Sequence, residues 1–303
     1  MKLISMAMLI LNLFVSTAWG YKAGQFAPKV PDMMGCPGIP CSCSCTDPYD
    51  PRVKSIAGSN VGQCLDTCSF RNAILLSSSD EKTLTLANVV LNDEFYVAKI
   101  PVNKIKETIF QIEWFGVWPS NHFQIRFVFD EDVVLTPQDT SSDSSVAYER
   151  DFVWTVMGMG PVNQIYGLEQ ALNGDVINSF VFAAMSDYVN HAVIKQGHVV
   201  EQYAVKLSKP ESSRLLEALL QKGNSDAYQI VYNFGERSCV QEFFKVFDGI
   251  LSDKNKIKSQ KILSQPQNII TRTVPSEVIH YSKALGIFLY QKPDVHKEFQ
   301  IKI

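Results

Sequence analysis

Seven cysteines and five histidines are the scarce reactive side chains of this 303-residue chain, and one of each stands where thiol chemistry would require it. Cys239 lies far downstream of the other six cysteines, at the start of a pattern in which Val240, Phe243, Phe244, Phe247, Ile250 and Leu251 share one helical face. A cysteine in the first turn of a helix sits at the positive end of the macrodipole, among N–H groups that lack intrahelical partners. Both effects favour the thiolate, the form that attacks a carbonyl. The same N–H groups can hold the oxyanion that the attack creates. Such a nucleophile needs a base, and His122 is the best placed histidine, within the strand pattern Asn121-His122-Phe123-Gln124-Ile125-Arg126-Phe127. His191 and His198 fall in a less regular segment, and His280 and His296 follow the core helices.

The other cysteines, Cys36, Cys41, Cys43, Cys45, Cys64 and Cys68, crowd into one stretch rich in Pro, Gly and Ser. What they do depends on the compartment. Lys2, an apolar run over residues 3–15 and the small residues Ala18 and Gly20 around Trp19 form a secretory signal, with cleavage expected after Gly20. The protein is therefore expected to be periplasmic or secreted, where an even cysteine cluster reads as a disulfide framework. Thiolate ligation of zinc or copper is the alternative, but the spacing is not a standard zinc pattern. The chemistry expected at Cys239 calls for no metal and no cofactor.

Positioning these groups requires a scaffold, and the pattern predicts four parts: a signal peptide over 1–20, a cysteine-rich extension over 21–79, a folded domain over 80–290 and a tail over 291–303. Pro28, Pro31, Pro37, Pro40, Pro48 and Pro51 exclude long helix from the extension. Strands are expected over 84–91, 95–100, 108–118 and 121–129, the last two joined at Pro119-Ser120, and again over 180–185, 199–207 and 228–233. Residues 138–150 read as a polar excursion and 162–172 as a short amphipathic piece. The glycines at Gly158 and Gly160 lack the spacing and the following lysine of a nucleotide loop. Ser208-Lys209-Pro210-Glu211 is a capping box for a helix with a Leu215, Leu216, Leu219 and Leu220 stripe, expected to end at Gly223. A last helix is predicted over 275–285, stopped by Gly286. These elements make an α+β protein with an antiparallel sheet packed against helices.

Composition limits the partners. Hydrophobic residues are 46% of the chain and charged residues 19%, enough apolar side chain for a full core. With 28 basic against 31 acidic residues the net charge is −3, which provides no field for nucleic acid. After the signal no stretch reaches spanning length, so membrane contact is expected at the surface only.

The order of strand-borne His122, the Tyr228-Gln-Ile-Val-Tyr-Asn233 strand and Cys239 opening an aromatic helix resembles the permuted papain-like thiol enzymes, in which histidine precedes cysteine. More narrowly, the His122 strand is similar to the His-Ser-Phe-type strand of the bacterial Lnb-type lipoprotein N-acyltransferase N-terminal periplasmic domain family. Val200-Glu-Gln-Tyr-Ala-Val-Lys-Leu-Ser208 ahead of the capped helix, and Thr273-Val-Pro275 ahead of the last one, follow the same order. The resemblance spans residues 84–290. It departs from the family at Ser238-Cys239, where the family has Asn-Cys, and at Gln196-Gly197-His198, where it often has Glu-x-Arg.

The resemblance implies a circularly permuted papain-like (NlpC/P60-like) core behind a disulfide-stapled N-terminal extension. Cys239 would be the nucleophile and His122 its base and later acid. A third group would orient the histidine, with Thr136 or Gln138 as candidates and Asp130 less favoured. Arg237 and Glu236 are candidates to contact a substrate head group, and Trp118, with Trp114 and Trp154, to form an aromatic rim. The expected activity is acyl transfer or hydrolysis at an ester or amide of a cell-envelope lipid or lipoprotein. A cell-wall peptide amidase or endopeptidase on the same dyad, and a non-catalytic envelope binding module, stand as alternatives.

Overall fold

The computed structural model describes residues 71–79, 83–115, 121–139, 145–160, 173–226, 229–233, 237–251 and 274–302, with the backbone of 21–22 and 165–166. Residues 1–20, expected to be a signal peptide, the six clustered cysteines, Trp118 and Glu236 lie outside the described residues.

The protein is α+β. Its strands are β1 (Tyr21–Lys22), β2 (Ile74–Ser79), β3 (Thr83–Leu91), β4 (Glu94–Pro101), β5 (Ile105–Trp114), β6 (Asn121–Pro137), β7 (Ala147–Met159), β8 (Ile165–Tyr166), β9 (Ile177–Ala184), β10 (Val199–Val205) and β11 (Phe288–Lys292). The helices are α1 (Met185–Tyr188), continued by a π-helical turn Val189–Lys195, then α2 (Lys209–Asp226), α3 (Cys239–Ile250), α4 (Glu277–Leu285) and α5 (Val295–Glu298). β1 pairs with β8, and the other nine strands form one sheet.

β6 organises that sheet. Its first half is rich in branched and aromatic residues suited to a strand buried on both faces, and it pairs antiparallel with β5 from Trp114–Asn121 to Ile105–Phe129. Its second half pairs with β4, while β7 runs beside both halves across an irregularity between Val128 and Val133. The remaining partnerships join β4 to β3, β3 to β9 and β9 to β7, so five strands close into a ring with β6 as its seam. All of these pairings are antiparallel except the short parallel contact of β3 with β9. From the seam β5, β10 and β11 extend outward.

The sheet is covered differently on its two faces. Helices α2, α3 and α4 bury Phe110, Ile112, Phe123, Ile125 and Phe127 in one large apolar core. The opposite face carries a smaller core of Val153, Met185, Val189, Val193, Val200 and Val295. Beside it runs a buried polar ladder, Gln124 Nε2 donating to Gln111 (2.9 Å), Gln111 Nε2 to Gln202 (2.9 Å) and Arg126 Nη1 to Gln202 (2.7 Å). The buried amide nitrogens are tolerated because each finds an acceptor, the last of them, Gln202 Nε2, donating to Pro293 O at 2.9 Å.

The predicted boundaries shift where tertiary structure takes over. β2, placed in the extension by sequence, is hydrogen-bonded along β3, and Ala73 N–H donates to Phe180 O at 2.8 Å. The expected C-terminal tail contributes the end of β11 and α5, whose Glu298 ion-pairs with Arg126. The excursion at 138–150 is narrower than expected, because Ala147, Tyr148 and Glu149 pair back onto β6. α2 continues past Gly223 to Asp226. A Cβ at Gly223 would stand 3.2 Å from Phe180 Cβ, so this glycine serves close packing and not termination. Gly286, at φ 75°, does end α4 in the left-handed conformation expected of a C-terminal glycine.

Candidate active site

Local sequence sets the thiol in place. Ser238 adopts an extended conformation before α3 and its hydroxyl accepts from Gln241 N–H at 3.4 Å, the behaviour of an N-cap. Cys239 follows as the first helical residue. The aromatic face of α3 then fixes the helix against the sheet, with Phe243 4.7 Å from Phe123 and 5.2 Å from Phe110 between ring centroids. The chain just ahead is pinned as well, since Asn178 Nδ2 donates to Arg237 O at 3.1 Å. Residues 230–232 lie along the start of β9, with Asn178 N–H donating to Ile230 O (2.7 Å) and Tyr232 N–H to Val176 O (2.8 Å).

These constraints bring Cys239 to the start of β6. The register of β6 with β7 starts at Gln124–Thr155, and one residue earlier the Phe123 N–H donates to the Cys239 sulfur, as does the Val240 N–H of the helix itself. His122 is hydrogen-bonded to the same sulfur. Its Nε2 meets Thr155 Oγ1 on β7. Each ring nitrogen has one in-plane hydrogen-bonding direction, so with Nε2 on Thr155 the nitrogen left for the thiol is Nδ1. The Thr155 hydroxyl lies 4.0 Å from Met157 Sδ.

The electrostatics of the pair follow from this contact. Burial opposes charge on both groups, yet their mutual attraction prevails. The Cys239 thiol is held below its ordinary value by the neighbouring imidazolium and the two N–H donors, and the His122 imidazole above its own by the thiolate and, less strongly, by Glu113. Tyr232 responds in the opposite sense, its phenol pushed up by burial and by the Cys239 charge. Cys239 is only 3% exposed, and residues 116–120, which precede β6 in sequence, and 234–236, which precede α3, lie outside the described residues.

A second layer surrounds the histidine. Glu113 sits directly across from His122 on β5, and its Oε1 lies 2.6 Å from His198 Nδ1. Phe115 stacks on His122 at 6.5 Å and turns its edge to His198 at 5.1 Å. The Tyr188 phenol is held protonated by burial and by the Glu113 carboxylate it faces.

The structure joins Cys239 to His122 and separates the proposed orienting residues from them. Thr136 is exposed on β6, paired with Val97. Gln138 binds Asn88, its Nε2 donating at 3.0 Å and its Oε1 accepting from Asn88 N–H. Asp130 ion-pairs with Lys209 at 3.2 Å. The physical reason is distance along one strand, since at ~3.3 Å per residue Thr136 is roughly 45 Å of chain beyond His122. The residue found at the imidazole is Thr155, from the neighbouring strand. Trp154 is 1% exposed and packs on Phe180 in the core, so it forms no rim, while Trp114 is half-buried against the same core. Arg237 is exposed beside the nucleophile. Glu113 had a legible signal, a carboxylate inside the apolar run Ile109-Phe110-Gln111-Ile112-Glu113-Trp114. Thr155 had only its polarity within Phe152-Val153-Trp154-Thr155-Val156.

Among the described residues one group has metal-ligand character away from the dyad. Asp93, Asp187 and His191 bring one ligand atom each within 4.8 Å of the others. His191 Nε2 is 2.5 Å from Asp93 Oδ1, a contact that already joins the β3–β4 turn to the π-helical turn. No described helix is long and apolar enough to cross a membrane. A scan of the chain against protein-family models, a search of curated proteins and a search of solved structures each gave no match.

Proposed function

We propose that this protein is an exported thiol-dependent acyltransferase or hydrolase with Cys239 as nucleophile and His122 as its acid and base. The observation that carries this reading is the meeting of a helix-start cysteine with a strand-borne histidine, with the Phe123 and Val240 N–H groups on the sulfur. The reading places the core with the permuted papain-like enzymes, on the Lnb-type periplasmic domain pattern, and the protein in the periplasm or outside the cell. Its substrates are esters or amides of envelope lipids or lipoproteins.

The Cys239 thiolate attacks the carbonyl carbon and the C=O electrons move to oxygen, where N–H groups at the start of α3 can receive the charge. Collapse of this adduct breaks the bond to the alcohol or amine, which leaves with the proton from His122 and yields a thioester. Water or an acceptor amine then attacks the thioester and gives its proton to His122. Release of the acyl product restores the thiolate–imidazolium pair. The substrate groove would separate this chemistry from cell-wall peptide cleavage on the same dyad.

The test combines thiol labelling with acyl trapping. Iodoacetamide labelling of the purified protein across pH 4–9, mapped by mass spectrometry, is expected to modify Cys239 rapidly at pH 6, and His122→Ala to slow it by at least tenfold. Incubation with p-nitrophenyl esters of increasing acyl length, quenched in acid, is expected to leave a thioester on Cys239. An inert Cys239 and no acyl adduct with any ester would overturn the proposal.

A further inference from the structure

Around the dyad lies a buried carboxylate that the chemistry above does not use. Glu113 belongs to β5 and faces His122 across the strand pair. Its side chain is 9% exposed, and a carboxylate so enclosed requires compensation. Two imidazoles are available for this. His198, at the entrance to β10, makes the 2.6 Å contact and remains 19% exposed, open to exchange protons with water. His122 lies on the other side and is half-buried, with Phe115 packed against both rings.

The groups facing each member complete the inventory. From α1 the Tyr188 phenol faces Glu113, and from β6 Gln124 approaches the same phenol. His122 is faced by Cys239 from α3, Thr155 from β7 and Glu113 from β5, and Cys239 by Tyr232 as well. Thr155 is neutral, and the two tyrosines are held in their neutral forms. Among the described residues, the negative charge facing His122 apart from the thiolate is therefore that of Glu113.

We infer that Glu113 is the positioning residue of the dyad, holding His122 as the imidazolium, and that His198 sets the strength of that hold by competing for the same carboxylate. The inference rests on the proposed Cys239–His122 reading and deepens it. When His198 is neutral, the Glu113 charge acts fully on His122 and the thiolate persists to lower pH. When His198 takes a proton, it draws that charge to itself and the hold on His122 weakens. His198, in contact with the carboxylate itself, is the modulator, and His122, in contact with the nucleophile, the responder.

Opposite signs test this. The pH dependence of iodoacetamide labelling at Cys239 is measured for wild type, Glu113→Gln, His198→Gln and the double variant, each checked for folding by circular dichroism. Glu113→Gln is expected to raise the pH of half-maximal labelling by about one unit, which slows labelling at pH 6 several-fold. His198→Gln is expected to lower it or to speed labelling at pH 5, because the competitor is gone. The double variant should match Glu113→Gln, since His198 acts through the carboxylate.

An unchanged profile in Glu113→Gln, or shifts of the same sign in both single variants, would overturn the inference while leaving the dyad intact. Should Glu113→Gln not fold, His198→Gln alone decides, because a merely structural imidazole would leave the labelling profile in place. A wild-type protein whose Cys239 is inert at every pH would instead remove the underlying reading.

Discussion

His122 and Arg126 lie four residues apart on the same face of β6, the histidine half-buried and the arginine buried, yet they are built for different ends. All three nitrogens of Arg126 are committed: Nε donates to Asp151 at 2.8 Å, Nη1 to Gln202 and Glu298 at 2.7 and 2.8 Å, and Nη2 to Asp151 and Glu298 at 2.5 and 3.0 Å. The guanidinium has no free direction and no reacting partner, and its charge is locked more firmly than in water by the two carboxylates, against the cost of burial. His122 instead shares its two nitrogens between a neutral hydroxyl and a thiol, and its charge depends on where one proton resides. A buried charge with every donor spent is a rivet. A charge that shares its proton with a nucleophile is machinery, and the partner set makes that difference.

The largest expected effect breaks the rivet. Arg126→Met leaves Asp151 and Glu298 without their cation and should cost about 3–5 kcal/mol in urea denaturation. The folded fraction should keep the wild-type pH profile of Cys239 labelling. A shifted profile would show that the two ends of β6 are one electrostatic unit and dissolve the comparison. Thr155→Val acts at the other end, removing the Nε2 partner at nearly constant volume. It is expected to slow Cys239 labelling at pH 6 about fivefold, matching about 1 kcal/mol of hydrogen bond, while Thr155→Ser retains the rate. The smallest change sharpens the separation of fold from chemistry. Ser238→Ala removes the cap of α3 and should cost about 1 kcal/mol of stability, seen as a lower urea midpoint, with the labelling pH unmoved.

What could be read from sequence was local, and what could not was long-range. The capping box at Ser208 is present as drawn, Ser208 N–H donating to Glu211 Oε2 at 2.8 Å and Glu211 N–H to Ser208 Oγ at 3.4 Å. The helix that opens at Cys239 and the glycine stop at Gly286 also depend on neighbours within a turn. The pairing of Cys239 with His122 was legible because helix-start cysteines and strand histidines carry their chemistry in their residue type. Thr155 escaped notice because its claim on His122 comes from the register of β7 against β6, which no local pattern encodes. β6 itself was expected to stop at Phe129 and runs on to Pro137, because the strand changes partner from β5 to β4 at an irregularity that breaks the apolar pattern. Gly223 misled for a related reason, its lack of a side chain being spent on Phe180, a residue distant in sequence.

The junction at residue 71 decides how anything attached upstream would be carried. The Arg71 guanidinium lies over the Phe95 ring at 3.9 Å, Asn72 Oδ1 accepts from Phe180 N–H at 3.2 Å, and Asn224 clamps Leu75 through bonds of 2.8 and 2.9 Å. The leash to the preceding chain is therefore welded to the ring instead of turning on a swivel. A tug along β2 would be shared by many hydrogen bonds in parallel and passed into β3, so the thiol pocket should ride out forces on that leash.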